Sequence, residues 1–101
     1  SSSSTNLESE NASPSRITLH QNYPNPFNPT TKIQYELPIS TEVNLSIYNG
    51  IGHKISELVN GEQRAGFHSV NYDAQNNPSG IYYYRLETSY STLTKKMVFI
   101  K

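Results

Sequence analysis

"TKIQYEL" (residues 31–37) and "EVNLSIY" (residues 42–48) alternate apolar and polar side chains without interruption. In the first, Ile33, Tyr35 and Leu37 fall on one face and Lys32, Gln34 and Glu36 on the other; in the second, Val43, Leu45 and Ile47 share a face. A period of two is that of a strand with one face in a core and one in water. Pro38 to Thr41 supply a turn, so the two segments are expected to pair as a hairpin. Outward from this pair the pattern continues. "NGIG" (49–52) offers two residues free to take positive φ, and "HKISELV" (53–59) follows it. There Ile55, Leu58 and Val59 break the alternation, which predicts a bulge or a short helical turn. "NGEQRAG" (60–66) reads as a loop. "FHSVNYD" (67–73) then places His68, Val70 and Tyr72 opposite Phe67, Ser69 and Asn71. "AQNNPSG" closes that strand and opens "IYYYRLETS" (81–89), and "STLTKKMVFIK" (91–101) ends on another. With "ITLHQ" (17–21), about seven short strands stand at spacings near ten residues, and no stretch carries a helical moment. The expected class is all-β, an antiparallel β-sandwich.

One corner narrows the topology. In "NPSGIYYYRL" (77–86), Gly80 stands two residues ahead of Tyr82 at a strand start, after a proline-containing loop. This resembles the tyrosine corner of immunoglobulin-like sandwiches, whose hydroxyl bonds back to upstream backbone. It favours a Greek key over a flat meander.

Composition bounds the rest. Only 34% of the 101 residues are hydrophobic, so burial falls to eight tyrosines and three phenylalanines, which bury roughly 150–250 Å² each. The core is expected to be thin and aromatic. Eight acids balance eight bases, so no broad field points to nucleic acid or an anionic membrane. Without cysteine there is neither a disulfide framework nor a thiolate metal site. No apolar stretch approaches the roughly 18 residues of a membrane span, and no basic-then-apolar signal opens the chain. If the domain is secreted, its address is therefore expected elsewhere in a longer parent. "SSSSTNLESENASPS" is polar, with Leu7 its one aliphatic exception of any size, and cannot offset its ordering entropy by burial. Residues 1–16 are expected to be a flexible Ser-rich linker and residues 17–101 the domain, hung from something upstream.

"NYPNPFNPTT" (22–31) sets Pro24, Pro26 and Pro29 directly before the first of the strands quoted above. Proline lacks an N–H, fixes φ near −65° and pushes the residue before it toward extended geometry. The segment is therefore an extended, kinked ribbon that can enter neither a helix nor a central strand, and must lie along an edge or across an end. Asn25 and Asn28 are expected to bond their side chains to backbone, replacing ladder bonds the prolines cannot make. Tyr23 and Phe27 are expected to plug the open end of the core. The sequence leaves open whether any of the X–Pro bonds is cis.

"NYPNPFNPTTKIQYELP" resembles the opening motif of the type A C-terminal sorting domain of the type IX secretion system. "GHKISELVNGEQRAGFHSVNYDA" is similar to that family's middle motif, with Gly52, Leu58, Gly61, Gly66 and His68 at the expected spacings. "NPSGIYYYRL" with "KKMVFIK" is similar to its closing motif. Tyr72 departs from the pattern, standing where an indole is common. The immunoglobulin-like domain of flagellar hook-capping proteins shares parts of the later motifs but less often the opening one, and ranks second. The resemblance implies a non-catalytic, cofactor-free passenger tag. A cargo enters the periplasm by its own signal peptide, and the outer-membrane translocon recognises the folded domain at its C-terminal end. A sortase-like surface peptidase commonly cleaves ahead of it and can transfer the cargo to an anionic lipopolysaccharide. By the same warrant the sorting-motif residues are Asn25, Pro26, Phe27, Asn28, Pro29, Thr31, Gly52, Leu58, Gly61, Gly66, Gly80, Tyr82, Lys96, Met97 and Val98. The cleavage zone is Ser9, Glu10, Asn11, Ala12, Ser13, Pro14, Ser15 and Arg16.

Other chemistry finds little footing in the sequence. Asp73 is the single aspartate beside three histidines and many serines, and no serine sits on a strained glycine elbow, so a nucleophilic triad is not expected. Glu36, Glu42, Glu57, Glu62 and Glu87 read as scattered outward positions. His20, His53 and His68 lack metal-ligand spacing. Two rivals remain: a carbohydrate-binding module that stacks sugars on Tyr83, and a structural spacer. Lys95, Lys96 and Lys101 on the last strand either protect an exposed edge or mark where a partner adds a strand.

Overall fold

A computed structural model describes residues 16–101. Among these residues the chain forms seven strands: β1 (Thr18–Leu19), β2 (Thr30–Leu37), β3 (Thr41–Tyr48), β4 (Lys54–Gln63), β5 (Gly66–Asp73), β6 (Gly80–Thr88) and β7 (Thr92–Phe99). They make two antiparallel sheets, ordered β1-β2-β5 and β4-β3-β6-β7. The chain crosses between sheets after β2, β4 and β5, which gives the immunoglobulin-like sandwich expected from the sequence.

The expected hairpin between β2 and β3 does not form, because the two strands lie in opposite sheets. Each has a single apolar face, and both faces are fully shielded when they oppose each other across the core. Pro38 lacks the N–H that a continued ladder would need, and residues 38–40 carry the chain over. Alternation reports which face is buried but not which sheet a strand joins. The predicted bulge is real. Leu58 and Ile55 fall outside the register of β4 on β3, which shifts between Leu45 and Ser46 and again between Ile47 and Tyr48. The loop read at 60–66 is largely strand, since residues 60–63 pair with residues 41–44 and only Arg64 and Ala65 connect β4 to β5. Polar side chains on the solvent face of an edge strand mimic loop composition.

The core is aromatic as composition required. Phe27, Tyr35, Tyr84 and Phe99 are buried with Ile33, Leu37, Leu45, Ile47, Leu86 and Met97 between the sheets. Phe27 stacks on Phe99 with ring centroids 5.2 Å apart and meets Tyr72 edge-on at 6.5 Å.

Candidate functional site

The site is where the proline ribbon meets the terminal strand. β1 ends at Leu19, but the chain continues beside β2. The His20 N–H donates to Gln34 O at 3.0 Å, and Tyr23 and Lys32 exchange backbone bonds at 3.0 and 2.9 Å. The ribbon then leaves this sheet and binds the other. Asn25 Oδ1 accepts the Val98 N–H at 2.9 Å. The Phe27 N–H donates to Val98 O at 2.9 Å, and Phe27 O accepts the Ile100 N–H at 3.0 Å, in a parallel bridge to Phe99. Gln21 Nε2 donates to Lys96 O at 2.7 Å. Pro29 O then takes the Ala74 N–H at 2.9 Å as the chain enters β2. The peptide bonds preceding Pro24, Pro26 and Pro29 are cis.

Phe27 plugs the end of the core as expected, at 2% exposure, but Tyr23 does not, being 79% exposed. Tyr23 is bonded opposite Lys32, whose side chain points to water, so register turns the tyrosine outward as well. Asn25 makes the expected side-chain bond to backbone, but among the described residues no such bond forms at Asn28, which is exposed. Asn22 takes the role expected of Asn28. Its Nδ2 donates to Pro24 O at 3.1 Å and to Thr31 Oγ1 at 2.9 Å, and Thr31 Oγ1 donates to Pro24 O at 2.9 Å.

A second clamp comes from β6. The Tyr84 hydroxyl accepts the Asn22 N–H at 2.7 Å and donates to His20 O at 2.6 Å, reaching from a central strand of one sheet to the arm on the other. Burial pushes this phenol up to about 12, against a smaller opposing pull from the Asn22 N–H. Sequence reading missed Asn22 and Tyr84. The signal for Tyr84 is the alternation of the run 82–84, which sets it with Tyr82 on the face opposite Tyr83 but does not reveal its hydrogen bonds.

The expected corner is present, since the Tyr82 hydroxyl donates to Pro78 O at 2.5 Å. Gly80 opens β6 opposite Phe99. Gly52 closes the β3–β4 turn with φ of 94°, a conformation side chains disfavour, and its N–H donates to Asn49 O at 3.0 Å. Of the motif residues, Asn25, Pro26, Phe27, Thr31, Gly80, Lys96, Met97 and Val98 thus gather around the ribbon and the end of β7, with Tyr82 at the neighbouring corner. Leu58, Gly61 and Gly66 lie elsewhere, on β4 and at the start of β5. The cleavage zone lies outside the described residues except for Arg16, which is exposed.

The rival features are less open than the sequence suggested. Tyr82 and Tyr84 are buried and Tyr83 is half-buried, so the three make no exposed strip. Beside them the Arg85 guanidinium lies 4.6 Å from the Tyr48 ring centroid and donates from Nη2 to its hydroxyl at 2.5 Å. His68 stacks on Tyr35 at 5.1 Å and donates from Nε2 to Arg64 O at 2.7 Å, a packed histidine. Among the described residues no three His, Asp or Glu side chains converge to hold a metal, and no helix is long and apolar enough to cross a membrane.

Fold and site together define an immunoglobulin-like β-sandwich closed at one end by a proline-stiffened arm. The sequence profile of the secretion system C-terminal sorting domain matches residues 21–101, and the chain belongs to that family. It is a C-terminal sorting signal for type IX secretion, of a kind linked to an upstream cargo, recognised by the secretion machinery and exported across the outer membrane to the cell surface or beyond. The family is not catalytic. No curated protein and no solved structure matches the chain.

Proposed function

We propose that residues 17–101 are read as a folded unit, and that the closed arm is what makes the unit complete. The interlock of the first motif with the last carries this reading. Both backbone groups of Val98 are held by the ribbon, one by Asn25 and one by Phe27, so neither motif has its folded form without the other. In this reading the domain crosses the periplasm attached to its cargo and engages the outer-membrane translocon. Residues 1–16 form the tether in which a surface sortase-like peptidase cuts, since a protease needs exposed, extensible chain. The domain itself performs no covalent step.

Fusing residues 17–101 behind a periplasmic reporter in a host with the secretion system tests this. The reporter is expected outside the cell, and retention of a folded fusion in the periplasm would refute the reading. Removing residues 95–101 takes away Met97, Val98 and Phe99 and is expected to abolish export; undiminished export would remove the terminal strand from the mechanism.

A further inference from the structure

Charge is balanced over the chain but not over the fold. Strand register divides the described residues into two halves along the sandwich. The half from which the tether leaves holds the β2–β3, β4–β5 and β6–β7 turns, and carries Glu36, Glu42, Glu62 and Glu87 with Arg16 and Arg64. The far half holds the proline ribbon, the β3–β4 and β5–β6 turns and the end of β7. There Lys32, Lys54, Lys96 and Lys101 stand with one acid, Asp73, among the described residues. Glu57, Arg85 and Lys95 lie between the halves, and Glu57 draws on Lys54 at 3.3 Å.

The apolar surface of the far half is layered. Across the outer face of the β4-β3-β6-β7 sheet, Lys54, Tyr48, Tyr83 and Lys96 stand in one register row. Beyond that row, toward the tip, come isoleucines. Ile81 pairs with Val98, Ile100 follows at the end of β7, and Ile51, 78% exposed, crowns the β3–β4 turn. Ile51 and Ile81 line one shallow groove with Pro78 and Ser79, and the Lys101 N–H, donating to Ser79 Oγ at 2.9 Å, brings residues 100–101 to the same groove. Aliphatic tips, then tyrosines flanked by lysines, is the order of a surface that meets a bilayer: apolar side chains reach the acyl boundary, tyrosine rings sit at headgroup depth and lysines meet anionic phosphates. Ile39, Phe67 and Tyr90 are exposed as well, but in the acidic half, which an anionic surface repels.

The backbone of the tip favours lipid over protein. The Ile51 and His53 N–H groups donate to Asn49 Oδ1 at 3.1 and 2.9 Å, and the Gly52 N–H donates to Asn49 O at 3.0 Å. The Ile100 and Lys101 N–H groups are taken by Phe27 O and Ser79 Oγ. An acyl boundary offers no partner to a free N–H, so a tip whose donors are bonded within the chain enters it without that cost. The same closure leaves little main chain for a peptide to pair with. We infer that the end opposite the tether is a contact for an anionic phospholipid surface, with Ile51, Ile81 and Ile100 entering the interface and Lys54, Lys96 and Lys101 meeting its phosphates. Docked in this way, the domain points its tether and cargo away from the membrane.

Residues 1–101 are mixed with vesicles of phosphatidylethanolamine and phosphatidylglycerol, or of phosphatidylcholine alone, and sedimented. The chain is expected to pellet with the first and to stay in solution with the second. Lys96→Gln with Lys101→Gln should weaken partition about 25-fold, since each lysine near an anionic surface is worth about fivefold, and Ile51→Ser should weaken it at least about fivefold. Both variants should unfold near the wild-type temperature, because the three side chains are exposed. The chain has no cysteine, so Ile51→Cys and Ile39→Cys each take a single polarity-sensitive fluorophore. The label at 51 should shift to the blue on anionic vesicles and the label at 39 should not. Absence of binding to anionic vesicles, or equal shifts at both ends, would overturn the inference. Loss of export by a folded Ile51→Ser reporter fusion, with no vesicle binding by the unsubstituted chain, would show that a protein covers the tip and would overturn the assignment to lipid. Vesicle binding is read without the secretion machinery, so failure of the sorting reading leaves it untouched.

Discussion

The two long sides of this sandwich are finished differently. On the side of β1 and β7 the chain spends residues 20–29 on closure, with Gln21, Asn22, Asn25 and Phe27 tying one sheet to the other. On the side of β4 and β5 the sheets are joined by the corner at Arg64 and Ala65 and by the Tyr35 hydroxyl, which donates to Gln63 Oε1 at 2.8 Å. The contrast teaches that residues conspicuous in the sequence need not be contacts. The ribbon is the most distinctive stretch of the chain, yet its backbone and Phe27 are largely consumed in holding β7.

If closure is structural, damage to the ribbon should register first as lost stability. Phe27→Ala removes a ring buried between Phe99 and Tyr72 and leaves a cavity, a change expected to cost about 3–5 kcal/mol in denaturant unfolding. A loss below about 1 kcal/mol would mean that the plug adds nothing to the fold.

Alkaline pH tests both sides together, because one buried phenol serves each. Burial pushes Tyr35 and Tyr84 from 10.0 up to about 12. The unfolded chain gives up these protons near pH 10 while the folded chain retains them, so fewer protons are bound in the unfolded state and stability falls as pH rises. The contribution is whole below pH 10 and is lost between about 10 and 12, with a slope approaching 1.4 kcal/mol per unit for each phenol. At pH 11 the pair together is expected to withdraw about 2–3 kcal/mol. Tyr84→Phe separates the sides. It leaves the buried Asn22 N–H without its partner and should cost about 1–3 kcal/mol at neutral pH, while lowering the alkaline slope by one phenol's share, the rest remaining with Tyr35 and with Tyr72, whose phenol burial also pushes up. An unchanged slope would place the titration elsewhere.

These residues also mark what the sequence made legible. The buried faces of β2, β3 and β5 and the corner at Tyr82 followed from a period of two and one glycine spacing, because those are local constraints. Sheet membership did not follow, since alternation is identical whether two strands pair or face each other. Three prolines told that the ribbon could not be a central strand, but nothing local told that Val98 would be its partner. That Phe27 plugs the core and Tyr23 does not has the same cause: which aromatic turns inward depends on register with Lys32 and Phe99, distant positions that the ribbon's own residues do not encode. The face Tyr84 shares with Tyr82 was legible from alternation, but its bonds to His20 and Asn22 span more than sixty positions of sequence.

Asn25→Ala sharpens the comparison at a finer grain. It removes the acceptor of the Val98 N–H from a partly hydrated edge, so the loss should be close to about 1 kcal/mol. Faster amide hydrogen exchange should appear at Val98 and Ile100 without spreading to β3, and protection lost evenly along β7 would show that the strand depends on the ribbon as a whole.

The smallest effect is expected on the opposite side. Phe67 is exposed on β5, where its ring fills no part of the core, so Phe67→Thr should leave stability within about 0.5 kcal/mol of wild type. Denaturant unfolding of the variant checks this, and a loss above about 1 kcal/mol would return Phe67 to the fold.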